Sequence, residues 1–292
     1  MNLAGTSLEH WVEAARPRTL PAAIVPVAVG TGVAIGGDGP IWGRAALAAV
    51  VALALQIATN YANDYSDGIR GTDEVRVGPM RLVASKVATP KAVKTAALLW
   101  FGVAAVFGLL LAALTTWWLL AIGATAIAAG WLYTGGPSPY GYMGLGEVFV
   151  FVFFGLVATV GTTYVQTEQI DWVSWPAATA VGLLSVAMLI TNNLRDIPGD
   201  AEAGKRTLAV RLGDPGTRKF YVATLAASFA AIGVSAIDRP WALLGLLAAP
   251  LALAPARSVL GGVKGRDLIA VLAATGRLQL AVAVLYSIGL AI

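Results

Sequence analysis

Two short runs of carboxylates and amides interrupt an otherwise apolar chain. One is Asn60-Tyr61-Ala62-Asn63-Asp64-Tyr65-Ser66-Asp67, with Asp73 beyond it; the other is Asn192-Asn193-Leu194-Arg195-Asp196-Ile197-Pro198-Gly199-Asp200. Asp64 and Asp67 stand three residues apart and Asp196 and Asp200 four apart, so on a helix each pair shares one face. Asn60, Asn63 and Asn193 extend those polar faces by about one turn. A single Asp at the centre of a transmembrane helix costs roughly 2.5–3.5 kcal/mol, so several at two similar helix ends require a compensating cation. Mg2+ takes oxygen ligands, usually a few carboxylates with phosphate oxygens completing the sphere. Two Asp pairs facing each other across a bundle hold such ions and a diphosphate between them. Asp73, Glu74 and Glu202 fit equally well as solvated charges at a helix boundary.

The basic residues that follow each pair suit an anionic ligand. Arg81, in Gly78-Pro79-Met80-Arg81-Leu82-Val83, and Lys205, in Gly204-Lys205-Arg206-Thr207-Leu208, lie close enough in sequence to return to the carboxylates and contact a diphosphate. The other Lys and Arg read mainly as membrane-flanking charge and lipid headgroup contacts. With no cysteine, disulfides, thiolate catalysis and zinc–thiolate sites are excluded. The single histidine, His10, leaves no histidine cluster for a transition metal or haem and reads as a structural or interfacial residue.

The elements that must position these groups are transmembrane helices. Of 292 residues, 58% are hydrophobic and 12% charged, and the mean hydropathy is +0.74; a globular domain carries about 25% charged residues. Nine apolar stretches of spanning length occur at about 19–36, 43–62, 92–114, 117–134, 147–165, 174–193, 220–237, 241–260 and 268–291. The expected architecture is all-α, a polytopic membrane protein with nine transmembrane helices in a single domain over residues 1–292. Residues 1–18 contain Glu9 and Glu13 instead of a basic start, so no cleavable signal peptide is expected. Within that stretch Ser7–Arg16 reads as an amphipathic helix lying in the interface. All of the 20 Lys and Arg except Arg44, Arg239 and Arg277 fall at the amino terminus or in the loops and flanks near 64–91, 135–146, 194–219 and 261–267. The positive-inside rule puts those loops, the amino terminus and both acidic clusters in the cytoplasm. Substitution of Arg44, on the opposite side, is expected to be nearly silent. The loop from Tyr133 to Tyr142 is rich in Gly, Pro and Tyr. Tyr133 and Tyr142 are candidate contacts to a substrate hydroxyl or carboxylate and, equally, interfacial aromatics.

These motifs resemble the UbiA superfamily of intramembrane aromatic prenyltransferases, whose signatures are an NDxxDxxxD-like run and a DxxxD run. Here they stand as Asn63-Asp64-Tyr65-Ser66-Asp67 and Asp196-Ile197-Pro198-Gly199-Asp200. The last Asp of the first signature belongs at position 71, which is Gly71 in this chain; the nearest is Asp73. That spacing, with Asn60, is similar to the branch that prenylates 1,4-dihydroxy-2-naphthoate. The similarity continues through Ala15–Pro21, Gly78–Val83, Tyr133–Gly136, Leu145-Gly146-Glu147, Asn192–Leu208 and Leu285–Gly289.

The resemblance implies a helix bundle around a central cavity, with Mg2+ as cofactor. Polyprenyl diphosphate, 1,4-dihydroxy-2-naphthoate and membrane lipid would be its partners, and no nucleic acid. Asp64, Asp67, Asp196 and Asp200 would be catalytic and, with Asn63, would bind metal. Asn60, Arg81, Asn193 and Lys205 would meet the diphosphate, and Asp73, Tyr133 and Tyr142 the acceptor. The implied reaction is prenyl transfer with decarboxylation, giving demethylmenaquinol, a menaquinone precursor. A sister enzyme acting on 4-hydroxybenzoate or another aromatic acceptor is the main alternative. A cation transporter is more remote, because it would place carboxylates near the bilayer midplane on broken helices.

Overall fold

Long Ala, Leu and Val runs punctuated by Pro and Gly become helices, and a computed structural model describing residues 7–72 and 80–292 contains helices and no strand among them. Asp73, Glu74, Arg76 and Gly78 lie outside the described residues. Helix α1, Leu8–Ala14, leads through a 3-10 turn into α2, Pro21–Ile35, which is followed by α3, Trp42–Arg70. Helices α4, Pro90–Leu114, and α5, Trp118–Leu132, complete the first half. Proline at the first position of α2 and α4 supplies a pre-set φ where no N–H is needed. Thr89 caps α4 by accepting from the Ala92 amide at 3.2 Å.

The second half opens with α6, Gly146–Val150, which runs through a π-helical segment, Phe151–Val157, into α7, Ala158–Thr167. Then come α8, Ser174–Glu202, and α9, Leu208–Ser235, which breaks at Gly213 where φ is 67°. A 3-10 stretch, Pro240–Ala248, joins α10, Pro250–Leu260, and α11, Leu268–Ala291, ends the chain.

Five of these units are long and apolar enough to cross a membrane, or seven if each of two bent helix pairs is one span. Helix α5, at 15 residues, is apolar but shorter, and α9 falls outside that count, so the nine spans expected from sequence exceed the number that length and composition establish among the described residues.

Two apolar cores flank the site. One joins α2, α8, α9, α10 and α11 through residues such as Val29, Leu184, Ile190, Tyr221, Ile232, Leu278 and Tyr286. The other joins the amino-terminal segment, α3, α4 and residues 82–88 through Ala58, Tyr61, Ala62, Leu82, Val93 and Phe101. Arg44 corrects a sequence expectation. Its guanidinium donates to Glu168 at 2.7 Å, to the Val165 carbonyl at 3.1 Å and to the Leu114 carbonyl at 2.5 Å, tying the ends of α3, α4 and α7, so its substitution would remove a structural tie and is no silent control.

Candidate active site

Helices α3 and α8 are each 29 residues long and carry their acidic clusters in the last turns. Each ends on a left-handed glycine: Gly71 caps α3 at φ 71°, and Gly204 follows α8 at φ 72°. The Gly204 turn lets the Lys205 amide donate to the Asp200 carbonyl at 2.8 Å, which brings the Lys205 side chain back over the cluster. Between the two helix ends lies the mouth of a cavity of about 1380 Å³, lined by Asn60, Asn63, Asp67, Arg81, Asp196, Asp200 and Lys205.

Asp67 is the centre of the polar network, 4% exposed. Lys205 Nζ lies 3.3 Å from its Oδ1 and 4.0 Å from Asp200 Oδ1, so one ammonium links the two clusters. Arg81 reaches the other oxygen of Asp67 at 3.9 Å. The Tyr142 hydroxyl donates to Asp67, and Lys205 sits 4.6 Å above the Tyr142 ring. Burial, with the Asp67 charge beside it, pushes the Tyr142 phenol above its ordinary range, so it stays a donor. Asp196 is engaged by its neighbour Arg195 in a two-pronged pair at 2.7 and 2.9 Å.

Asp64, on the same helical face as Asp67, has a different environment. It is 1% exposed, and its two oxygens accept from the backbone amides of Leu82 and Val83 at 2.8 and 3.1 Å. It does not line the cavity. Asp64 therefore holds in place the segment that carries Arg81. Asn60 donates to the Ala15 carbonyl at 2.8 Å and to Thr19 Oγ1 at 3.2 Å, while the Tyr61 hydroxyl donates to the Trp11 carbonyl at 2.8 Å. These bonds dock the amino-terminal segment so that Arg16 and Arg18 line the cavity. Arg16 adopts φ 55°, a strained value for a residue with a Cβ.

Asn63 accepts from Thr134 Oγ1 at 2.8 Å, and the Arg70 guanidinium donates to the Thr134 and Gly136 carbonyls. The loop that presents Tyr133 and Tyr142 is thus tied to the end of α3. It is tied to the Lys205 segment as well, because the Arg206 amide donates to the Tyr142 carbonyl at 2.9 Å. Asn193 turns its amide nitrogen to Glu147 Oε1 at 2.9 Å. Asp73 lies outside the described residues. Sequence reasoning assigned no chemistry to Thr134, Glu147, Arg16 or Arg18; none sits in a spacing pattern that distinguishes it from a loop polar residue.

Beyond the polar mouth the cavity is apolar. Phe149, Phe153, Phe154, Leu119, Ile122 and Ile127 line it, and Tyr140 stacks on Phe149 with centroids 3.9 Å apart. Trp175 and Asp200, both at the wall, are roughly 35–40 Å apart along α8 at 1.5 Å per residue, which matches a bilayer.

The donor set is hard oxygen, and no three acidic or histidine side chains gather into a ready-made metal cage among the described residues. That pattern fits Mg2+, which binds through one or two carboxylates and takes substrate phosphate oxygens for the rest, better than an ion needing a full protein cage.

The UbiA prenyltransferase family matches this chain over residues 23–271. A 1,4-dihydroxy-2-naphthoate octaprenyltransferase of Mycobacterium tuberculosis is 55% identical over 270 residues, 92% of each chain. An enzyme of the same name from Escherichia coli K12 is 39% identical over 264 residues, 86% of this chain and 85% of that one. Among solved structures, a UbiA homolog from Archaeoglobus fulgidus bound to GPP and Mg2+ aligns with a TM-score of 0.69 at 16% identity, covering 97% of this chain and 99% of that one. At that identity the likeness is one of fold.

Proposed function

This chain belongs to the UbiA prenyltransferase family, and from that premise we propose that it transfers a polyprenyl group to 1,4-dihydroxy-2-naphthoate with loss of carbon dioxide. The observation that carries the reading is the cavity itself: two acid-bearing helix ends, bridged by Lys205, open into one apolar chamber of bilayer length. Such a chamber takes an amphiphile with an anionic head and a long hydrocarbon tail.

In this reading Asp67, Asp196 and Asp200, with Asn63 beside them, would hold Mg2+, which would supply Lewis-acid stabilisation of the departing diphosphate. Lys205 and Arg81 bind the diphosphate oxygens directly and neutralise the charge that grows on them as the carbon–oxygen bond breaks. Asp64 acts at one remove by anchoring Leu82 and Val83. The apolar walls, with Phe149 and Phe153 among them, exclude water that would quench the allylic cation. The ring carbon bearing the carboxylate attacks that cation, and the carbon–carboxylate bond then breaks. Its electron pair returns to the ring, so aromaticity is restored without removal of a ring proton. Diphosphate, carbon dioxide and demethylmenaquinol are the products.

The chain is a multi-pass membrane protein; the concentration of Lys and Arg in the loops that carry the acidic clusters supports a cytoplasmic site and amino terminus in a bacterial cell membrane. The test is direct. Purified protein in lipid, given prenyl diphosphate and Mg2+, should release diphosphate and form a prenylated product with 1,4-dihydroxy-2-naphthoate. It should do so far faster than with 4-hydroxybenzoate, and chelation should stop it. A preference for 4-hydroxybenzoate would move the protein to the sister reading.

A further inference from the structure

Beside the acids, the hydrogen-bonding groups at the mouth of the cavity differ in kind. Lys205 and Arg81 present donors, as a diphosphate requires. Asn192 and Asn193 do the reverse. Asn192 donates its amide back to the Met188 carbonyl of its own helix at 3.3 Å, and Asn193 donates to Glu147 at 2.9 Å. Both line the cavity, so their carbonyl oxygens remain for a ligand. A carbonyl oxygen accepts hydrogen bonds and repels the oxygens of a phosphate, which also only accept. Between a diphosphate oxygen and a ring hydroxyl, it pairs with the hydroxyl.

Glu147 explains why Asn193 faces this way. It stands on α6, 5% exposed, and does not itself line the cavity. Its second oxygen, Oε2, is buried with no hydrogen-bond partner. A buried carboxyl group is costly, and the side-chain contact that holds this one is the hydrogen bond from Asn193. A carboxyl oxygen that accepts from Asn193 draws the amide nitrogen to Glu147 and leaves the carbonyl oxygen to the cavity. Gly146 keeps the neighbouring space clear, since a Cβ there would lie 3.2 Å from the Tyr133 ring and 3.4 Å from its hydroxyl. On α8, residues 193, 196 and 200 follow the i, i+3, i+7 spacing of one helix face. The Asn193 carbonyl is thus one turn from the diphosphate site.

We propose that Glu147 is a positioning residue that fixes Asn193, and that the Asn193 carbonyl accepts a hydrogen bond from a ring hydroxyl of the aromatic acceptor. The inference rests on the prenyltransferase reading above and revises the expectation that Asn193 binds diphosphate. It makes the pair a specificity element for hydroxylated rings.

The experiment compares competitive inhibition by 2-naphthoate with that by its 1-hydroxy and 4-hydroxy derivatives, which share the carboxylate and differ in the hydroxyl. In the unaltered enzyme at least one hydroxyl should tighten binding by about fivefold to tenfold, as a net hydrogen bond does. In Asn193→Ala and Glu147→Leu that advantage should fall to near unity, while the KM for prenyl diphosphate stays within about twofold. Glu147→Gln, whose carbonyl still accepts from Asn193, should restore the advantage, which a purely structural acid would not require. If Glu147→Leu does not fold, Asn193→Ala and Glu147→Gln carry the comparison. A hydroxyl advantage that survives in Asn193→Ala, or a KM for prenyl diphosphate that rises as much as the acceptor's, overturns the inference. An unaltered enzyme that makes no prenylated naphthoate overturns the underlying reading instead, and the two failures are distinct.

Discussion

Asp64 and Asp67 stand one turn apart on α3, yet one faces backbone amides and the other faces cations across the cavity. Their substitutions should therefore fail in different ways. Asp67→Asn, Asp196→Asn and Asp200→Asn should each lower turnover at least tenfold, about 1.4 kcal/mol of transition-state stabilisation, with the helical content retained. Asp64→Asn should lower turnover and also the melting temperature, because an amide offers one acceptor oxygen where two N–H groups need one each. Parallel measurement of kcat and Tm decides; equal Tm across all four variants would contradict the anchoring role. The i, i+3 spacing made the shared face legible in the sequence. It could not divide the pair, because the division depends on Leu82 and Val83, which approach from 18 and 19 residues away. Lys205 was legible from its place just after Asp200. Glu147 was not, since a lone Glu at the start of an apolar stretch carries no spacing signal, and its meaning comes from Asn193, 46 residues on.

At the scale of elements, the segment from α6 to α7 does what no periodicity announces. Its π-helical middle turns Phe153, Phe154 and Val157 to the cavity wall, while Gly155 packs on the backbone of α8. A Cβ on Gly155 would lie 2.6 Å from the Cα of Gly182 and 2.8 Å from the Ala178 carbonyl, both backbone atoms that cannot swing aside. Gly155→Ala should thus push the segment away from the helix that carries Asp196 and Asp200. We expect a loss of about 1–3 kcal/mol, the usual range for overpacking, read as a lower Tm, together with reduced activity. A variant as stable and active as the parent would show that the two helices are not closely packed there. Spans and their order could be read from apolar length. The π segment could not, because its pattern of Phe and Val differs little from that of an ordinary buried helix.

Across the whole molecule, two apolar cores brace one chamber, with the charged groups gathered at its mouth and Trp118 and Trp175 at the other extreme. The position of the mouth followed from the sequence, since both clusters close long apolar segments; the chamber's walls did not, because helices α2 to α8 and α11 all contribute to them from a distance. Gly161 lines the chamber, and a Cβ added to it would meet nothing within 4 Å, so a side chain there would grow into open space. Gly161→Phe should accordingly raise the KM for a long polyprenyl diphosphate well above that for geranyl diphosphate; an equal effect on both would place the tail elsewhere. The central claim is that the acceptor ring exchanges its carboxylate for the prenyl group at one carbon. It is tested most directly by supplying 1,4-dihydroxy-2-naphthoate labelled in the carboxyl carbon, with prenyl diphosphate and Mg2+, and counting label against product. One labelled carbon dioxide released per prenylated product is the predicted result, whereas a prenylated product that retains the label would contradict it.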